Sequence, residues 1–287
     1  MTALALPQVG DGKTPDPGIY ADIPNETYHA LPGVSKSMLD KLDESPAHLR
    51  DAIDNPVHEQ TPAMMIGSAT HCAVLQPERF EDEYAVMPDI DGRTAEARAF
   101  KTAAKKKGKQ TLSHIEARWI KAIAARVRDS ILCRQWMDHD PLIENSIIWE
   151  MDGYLCRARP DMIVPGMKVI PDLKTTALSC DNFPREIFRR RYHWQAYWYL
   201  KAAENVGIKC DSFMIIAAHK ARPFLVSFHE IHRDSEAFAI AADECELAFE
   251  TYKNCMRTGL WPGYSQDPIP VQVPRHHETV VVEEEPF

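Results

Sequence analysis

Between residues 146 and 173 the apolar pattern changes from a helical period to short strand-like runs, and this change constrains the fold more than any other feature. Three segments rich in β-branched and aromatic residues follow one another: SIIWEM, YLCRARPDMIV and KVIPDL. Turn-forming pairs separate them, namely Asp152-Gly153 and Pro165-Gly166. Short apolar runs between such turn signals are typical of antiparallel strands. The sequence therefore predicts an antiparallel meander of three strands.

Helical patterns lie on both sides of this meander. Two further strand-like runs, FMIIAAH and FLVSFHEI, separate the last two of these helices. Residues 80–113 are mixed in character and rich in lysine, which predicts a partly flexible excursion. The whole order describes an α/β core with a helical N-terminal elaboration. The predicted helices begin at Ser35 and at Pro46, where the helix runs to Arg50, and then cover Thr61–Gln76, His114–Trp136, Phe183–Asn205 and Asp234–Thr258.

The two ends of the chain differ from the rest. Residues 1–17 are polar and contain three prolines, which predicts a flexible arm. Residues 265–287 contain four prolines and a run of three glutamates. They predict a flexible, acidic tail that either docks a partner or only solubilises the chain. Residues 18–264 remain as a single predicted domain.

The overall composition narrows the classes of function. A net charge of −9 argues against a protein that coats nucleic acid non-specifically. The net charge is compatible with an enzyme that has one basic groove. Two basic clusters exist, between Lys101 and Lys109 and between Arg185 and Arg191. Seven cysteines without a CxxC pair predict free, buried thiols rather than structural zinc.

The sequence carries no sign of a membrane segment. No apolar run approaches the roughly 18 residues that a membrane-spanning helix needs. The first residues also lack the basic and apolar regions of a signal peptide. We therefore expect an intracellular protein without membrane contact.

One constellation in the meander has the composition of a catalytic site. Asp161 begins one predicted strand, while Asp172 and Lys174 lie near the end of the next, two residues apart and therefore on one face. The turn at Pro165-Gly166 brings Asp161 beside that pair. Phosphodiester hydrolysis needs such a mixture, because carboxylates hold Mg²⁺ or Mn²⁺ and a lysine can orient or deprotonate water or neutralise phosphate charge. A surface strand pair with a turn-capping aspartate is the alternative explanation.

Three more polar residues occupy helical positions around this constellation. His71 follows several small residues on the predicted helix Thr61–Gln76, where a lone histidine is more often a core residue than a ligand. Gln195 and Tyr199 lie one helical turn apart on the helix that follows the DxK strand. By spacing alone, both are ordinary surface or packing residues.

Together and in this order, these motifs resemble a known set. The wider sequence resembles the exonuclease VIII (RecE-type) branch of the PD-(D/E)xK superfamily, in GIYADIPNETYHALPGVSKSMLDKLDESPAHLRDA, AMMIGSATHCAVLQPERF, CRARPDMIV and DLKTT. The resemblance runs from about Gly18 to about Pro262. It implies a restriction-endonuclease-like core in which helices flank a central mixed sheet. The motifs shared with RecB-like nucleases are GxxxH at 67–71, an aspartate at 161, DxK at 172–174 and QxxxY at 195–199.

The resemblance also implies roles for individual residues in metal binding and catalysis. His71, Asp161 and Asp172 would bind Mg²⁺, or alternatively Mn²⁺. The main-chain carbonyl of Leu173 would be a further ligand. Asp161 and Asp172 would act in catalysis together with Lys174, the catalytic lysine.

Other residues are implied to support the site. Gln195 and Tyr199 would hold it or contact the DNA backbone. Glu150 and Arg159 are further candidates, although Glu150 could equally be a solvent-facing strand residue. Pro171 departs from the β-branched residue expected before Asp172, and because proline cannot donate to a ladder it predicts an edge or a bulge.

For the whole protein, the resemblance implies an exonuclease that digests double-stranded DNA ends 5′→3′ and leaves 3′ single strands for recombination. Such enzymes are homo-oligomeric rings, and a single-strand annealing protein is the expected partner, in the cytoplasm of a bacterial or phage-infected cell. An Fe–S cluster is not expected, because Cys245 and Cys255 are the only late cysteine pair. A structure-specific or restriction-type endonuclease and a non-catalytic DNA-binding module stay open as alternatives.

Overall fold

The computed structural model of the chain describes residues 15–56, 61–268 and 270–271. The predicted arm (1–17) and the predicted tail (265–287) lie mostly outside the described residues. The described part is an α/β fold with a mixed sheet between layers of helices, as predicted. Within it, no helix combines the length and the apolar character needed to cross a lipid bilayer.

The strands of the described residues form four small sheets. Their bounds are β1 (Gly18–Tyr20), β2 (Tyr84–Val86), β3 (Gln110–Leu112), β4 (Leu142–Ile143), β5 (Ser146–Met151), β6 (Tyr154–Ala158), β7 (Met162–Ile163), β8 (Val169–Thr176), β9 (Ser212–His219) and β10 (Val226–His232).

The helices of the described residues pack against one another and against the sheets. Their bounds are α1 (Asn25–Ala30), α2 (Lys36–Glu44), α3 (Pro46–Asp54), α4 (Pro62–Leu75), α5 (Phe80–Glu83), α6 (Ala95–Lys106), α7 (His114–Arg128), α8 (Ile131–Met137), α9 (Phe183–Arg189), α10 (Tyr192–Asn205) and α11 (Glu236–Thr258).

One sheet is mixed and has the order β10-β9-β8, so that β8 is its edge strand. β8 runs parallel to β9, and β9 runs antiparallel to β10. Because parallel neighbours need a crossover connection, α9 and α10 lie between β8 and β9 in the chain. A second sheet, β1-β5-β6, is antiparallel, and the pairs β4-β7 and β2-β3 complete the set.

Alternate residues of β9 face two separate parts of the core. Phe213 and Ile215 belong to a cluster with α10 and α11, whereas Ile216 and Ala218 belong to a cluster with α4 and α7. Each of the four is at most 1% exposed. A slip by one residue would exchange the two faces, so burial fixes the register of β9 against β8. The seven cysteines are free thiols, as predicted, and all except Cys180 are buried.

The prediction of a three-stranded meander is partly wrong. β5 and β6 form the predicted hairpin around Asp152-Gly153. The turn at Pro165 also folds the chain back, with a bridge between Val164 and Val169. Along its length, however, β8 pairs in parallel with β9. Since β8 is largely buried on both faces, its short apolar run does not distinguish a parallel strand from an antiparallel one.

Two predicted helices are each divided in two. The helix predicted at Phe183–Asn205 is interrupted between α9 and α10 by Arg191, whose φ of 52° is left-handed. The helix predicted at His114–Trp136 is interrupted at Ser130, whose hydroxyl caps α8 by accepting the Cys133 N–H. Apolar periodicity continues across both breaks, and the sequence pattern therefore did not reveal them.

Much of residues 80–113 adopts regular structure, which the prediction of a partly flexible excursion did not anticipate. β2 pairs in parallel with β3, and α6 connects them. α6 buries Ala97 and Ala104, while its lysines occupy the exposed side. The buried residues of α6 are small and lie between many lysines. The composition of the helix is therefore polar, and its apolar face was not recognised from the sequence.

Candidate active site

Asp161 lies at the outer edge of β8. Its Oδ2 accepts a hydrogen bond of 2.7 Å from the main-chain N–H of Leu173. Because the N–H and C=O of one strand residue point to the same side, the Leu173 carbonyl faces this edge as well. Pro171, two residues earlier, directs its nitrogen the same way and so removes no donor from the ladder with β9. β8 is thus an edge strand, as its proline predicted.

Asp172 and Lys174 project from β8 towards α10, on one face as predicted. Lys174 Nζ lies 2.5 Å from Asp172 Oδ2. From α10, the Nε2 of Gln195 donates a hydrogen bond of 2.7 Å to Asp172 Oδ1. The Asp172 carboxylate, 1% exposed, is therefore held from two sides. Lys174 Nζ also lies 5.0 Å from the centre of the Tyr192 ring.

Tyr199 follows Gln195 by one turn of α10. It is partly buried, and its ring contacts Phe213 edge to face with centroids 6.1 Å apart. Burial, reinforced by the negative charge of Asp172, raises the pKa of the Tyr199 phenol well above its ordinary value. Tyr199 is therefore a neutral neighbour of the buried carboxylate.

His71 reaches the same edge from α4. Its Nδ1 lies 3.1 Å from Asp161 Oδ2. One face of α4 is anchored on β8, since Ala69 and Leu173 belong to one apolar cluster and both are fully buried. The structure thus brings His71 to the aspartate of the predicted motif, from the opposite side of the sheet to Gln195.

Glu144 is a site residue that the sequence interpretation missed. It follows β4, lies opposite Asp161 at the end of the β4–β7 pair, and donates its main-chain N–H to the Asp161 carbonyl at 3.0 Å. Its φ of 52° is left-handed, which is uncommon for a residue with a side chain. Ligand atoms of His71, Glu144 and Asp161 all lie within 4.8 Å of one another. The sequence signal for Glu144 was an acidic residue just before a predicted strand. The pairing of β4 with β7, which have two residues each, could not be predicted from the sequence.

Two other candidates lie elsewhere. Glu150 is exposed on β5 opposite Leu155 and is not a member of the group around Asp161. The guanidinium of Arg159 donates to Ser146 Oγ and to the Ile23 carbonyl, each at 2.9 Å. Arg159 therefore ties the N-terminal segment to β5, next to the site.

The imidazole and one carboxylate form a charged pair. Burial disfavours the protonated form of His71, but the adjacent Asp161 outweighs it and raises the pKa of the imidazole to about 9. Burial likewise opposes ionisation of Asp161, but His71 and then Lys174 hold the pKa of this carboxyl below its ordinary value. At neutral pH and without a metal, His71 is a cation beside an ionised Asp161.

The two remaining carboxyl groups resist ionisation. Burial, followed by the charge of Asp161, raises the pKa of Glu144 to about 7. Burial also raises the pKa of Asp172 to about 6, against the lowering effect of Lys174. When ionised, the carboxylates of Asp161, Asp172 and Glu144 repel one another. A cation placed between them would favour their ionised forms.

The donor set fits a hard divalent cation. Carboxylate and carbonyl oxygens are the ligands of Mg²⁺ and Mn²⁺, and an imidazole favours a transition metal such as Mn²⁺ over Mg²⁺. Asp172 Oδ2 is buried and has no hydrogen-bond partner among the described residues, although the Lys174 ammonium lies beside it. The group of ligand atoms that lie close together consists of His71, Glu144 and Asp161, and Asp172 is not a member of it. Asp172 lies within electrostatic range of Asp161, so a cation held by this group would act on the Asp172 carboxylate as well.

Residues 35–268 match the family model described as a PDDEXK-like domain of unknown function (DUF3799). The fold is similar to that of a candidate exonuclease from Eubacterium rectale, at 14% identity and a TM-score of 0.61, over 91% of this chain and 99% of that one. At this identity, the likeness shows a shared fold alone. A phage-related exonuclease from Haemophilus somnus 129PT matches at 14% identity and a TM-score of 0.35, over 79% of this chain and 96% of that one. Among curated proteins, none matches the chain significantly.

Proposed function

This chain belongs to the family of PDDEXK-like domains of unknown function (DUF3799), and from that membership we propose that it is a metal-dependent exonuclease acting on double-stranded DNA ends. One observation carries the proposal, namely the convergence of charged groups at the edge of β8. Asp161 is fixed by the Leu173 N–H, and Asp172 is held between Lys174 and Gln195. Two oriented carboxylates and a lysine meet the requirements of phosphodiester hydrolysis.

We propose that Asp161, Asp172 and His71 hold the divalent cation, with Glu144 and the Leu173 carbonyl as further ligands. When bound, such a cation supplies Lewis-acid polarisation of the phosphate and stabilises its negative charge. The chain contributes orientation, because the Asp161 carboxylate is already fixed by the Leu173 N–H. A preformed arrangement of this kind lowers the cost of assembling the site when substrate binds.

Lys174 acts as a cation in this proposal. Burial opposes its charged form, but Asp172 and then Asp161 outweigh it and raise the pKa of the ammonium above its ordinary value. Of the roles open to the lysine, this positive charge favours neutralisation of phosphate charge and orientation of water over removal of a proton. Tyr192, below the ammonium, limits where Lys174 Nζ lies.

The direction of digestion, its product, the assembly and the partner are also proposals. We propose digestion in the 5′→3′ direction, a 3′ single-stranded product for recombination by annealing, a ring of identical subunits and an annealing protein as partner. The RecE-type motif resemblance supports these features, and the description of the Eubacterium rectale protein agrees with cleavage from ends. Light scattering on the purified protein measures the mass of the assembly and so tests the ring. The mass of a monomer would contradict it.

The proposed activity is tested on linear duplex DNA labelled at one 5′ end, with Mg²⁺ or Mn²⁺ and then with EDTA. Metal-dependent release of labelled mononucleotides, with a closed circular duplex left intact, is the expected result. Lys174→Gln should abolish it, whereas Lys168→Gln, which removes an exposed ammonium paired with Asp211, should not. Cleavage of the circle would instead indicate an endonuclease, and DNA binding without any cleavage would indicate a non-catalytic module.

A further inference from the structure

One face of α9 combines arginines with an aromatic ring. Arg185, Phe188 and Arg189 are three and four residues apart in the helix and therefore share this face. All three are exposed, and Phe188 is 46% exposed although it is apolar. Arg190, the next residue, is exposed as well. These four residues are called the α9 face below.

The α9 face carries an excess of positive charge. Glu186 accepts hydrogen bonds of 2.7 and 2.5 Å from Arg189 and also pairs with Arg190. One carboxylate thus opposes two guanidiniums, and Arg185 adds a third. Both paired arginines are more than half exposed although Glu186 is buried, and a guanidinium has five N–H donors. The donors that Glu186 does not use can therefore contact a second anion from the solvent side.

The Phe188 ring is supported on one side by a fixed neighbour. Its centroid lies 4.7 Å from that of the His193 ring. His193 is buried, and its Nε2 lies 3.0 Å from Glu244 Oε2. A ring supported in this way loses little conformational entropy when a ligand stacks on its exposed side.

The α9 face adjoins the active site through Tyr192. Lys174 Nζ lies 5.0 Å from the centre of the Tyr192 ring. Burial raises the pKa of the Tyr192 phenol, whereas the charges of Lys174 and Arg190 both act to lower it, so the phenol lies within electrostatic range of both. Lys36 joins the same region, because its ammonium donates to the Arg190 carbonyl at 3.3 Å. Lys174, Lys36 and Arg190 thus place cationic groups between the site and the α9 face, with Lys36 paired to Asp40 at 2.8 Å and Lys174 to Asp172 at 2.5 Å.

From this arrangement we propose that the α9 face binds an unpaired DNA strand beside the active site. Arg185, Arg189 and Arg190 contact phosphates, and one base stacks on Phe188. A base inside a duplex already has stacking neighbours on both sides, so an exposed ring next to arginines fits a single strand. This inference rests on the proposed nuclease function and adds the surface that receives the separated strand.

The test measures binding of a fluorescent single-stranded oligonucleotide of about 16 nucleotides, in EDTA and over a range of salt concentrations. Phe188→Leu keeps apolar bulk but removes the ring, so affinity should fall about 5- to 100-fold with an unchanged salt dependence. Phe188→Trp should restore the affinity. Arg185→Gln leaves the Glu186 pairs in place, and it should make the slope of log affinity against log salt shallower by roughly 0.7.

Lys105→Gln on α6 is the matched control, because it removes one exposed charge from the other basic cluster and should change neither quantity. The proposal is overturned if Phe188→Leu binds the oligonucleotide with wild-type affinity. It is also overturned if Lys105→Gln changes the salt dependence as much as Arg185→Gln does, which would indicate diffuse charge attraction. Thermal unfolding of each variant shows whether it is folded. If the wild-type protein does not cleave linear duplex DNA, the proposed function fails. If it cleaves while the α9 variants bind like wild type, this inference alone fails.

Discussion

Gln195 on α10 donates a hydrogen bond of 2.7 Å to Asp172 on β8, and both residues are buried. The donor is neutral, so it orients one carboxylate oxygen without cancelling the charge of the group. The other oxygen stays available to Lys174 and to a cation. Neighbouring α10 residues such as Ala196 and Trp198 are fully buried, which fixes the helix that positions the amide. The orientation of Asp172 is therefore a consequence of packing in the core.

Gln195→Leu is expected to lower kcat about 10- to 100-fold, since loss of an outer-shell partner typically has that effect. KM for DNA should change little, because in this structure Gln195 contacts the carboxylate rather than a substrate surface. Steady-state kinetics on end-labelled duplex DNA measures both quantities. Lys168→Gln, which removes an exposed ammonium paired with Asp211, is the control and should keep the wild-type kcat. A wild-type kcat in Gln195→Leu would contradict the positioning role.

Glu144→Gln is expected to weaken Mn²⁺ binding by at least about tenfold, because a direct ligand should matter no less than an outer-shell partner. Glu150→Gln makes the same chemical change on an exposed strand position and should leave the affinity unaltered. Isothermal titration of the folded, DNA-free proteins with Mn²⁺ compares them without relying on activity. The opposite ranking of the two variants would restore Glu150 as the acidic site residue and remove Glu144.

Glu144 and Glu150 show which site residues a local sequence pattern can predict and which it cannot. Asp161, Asp172 and Lys174 are linked by a short turn and a period of two, so local pattern was enough to predict their proximity. Glu144 meets Asp161 only because β4 and β7 pair, and each of those strands has two residues. Glu150 belongs to a strand that was predicted correctly, yet its side chain is on the exposed face.

The same division between local and non-local information applies to the fold. The β5–β6 hairpin depends on a turn within the hairpin and was predicted. The parallel pairing of β8 with β9 depends on two helices between them and on burial of both faces of β8, which no short window records. The left-handed Arg191 divides one predicted helix without any glycine or proline to indicate it. The motif resemblance supplied the mixed sheet that the strand pattern alone did not.

Metal binding is expected to release protons near neutral pH. The pKa of His71, raised to about 9 by Asp161 against the effect of burial, means that the metal-free imidazole is protonated below that pH. Glu144, whose pKa burial raises to about 7, is partly protonated there as well. A cation binds the deprotonated forms, so affinity for Mn²⁺ should rise with pH, about tenfold per unit for each proton displaced. Titration calorimetry at pH 7 in two buffers of different ionisation enthalpy counts the protons.

His71→Gln provides the control for this measurement. The variant lacks the imidazole proton, so the number of protons released at pH 7 should fall by about one. The affinity of the variant should also depend less steeply on pH. Binding of Mn²⁺ by the wild-type protein without proton release would show that His71 is not displaced from its pairing with Asp161.

Arg159→Met is expected to lower the stability of the protein more than its affinity for metal. The guanidinium donates to Ser146 Oγ and the Ile23 carbonyl and lies 4.0 Å from the centre of the Tyr28 ring, so it anchors the N-terminal segment. Methionine keeps the apolar stem but leaves a carbonyl without its donor, which costs about 1–3 kcal/mol. Urea unfolding should show a lower free energy of unfolding, and Mn²⁺ titration of the folded variant should show a smaller loss of affinity than in Glu144→Gln. A stable Arg159→Met variant that no longer binds Mn²⁺ would instead assign this arginine to the metal site.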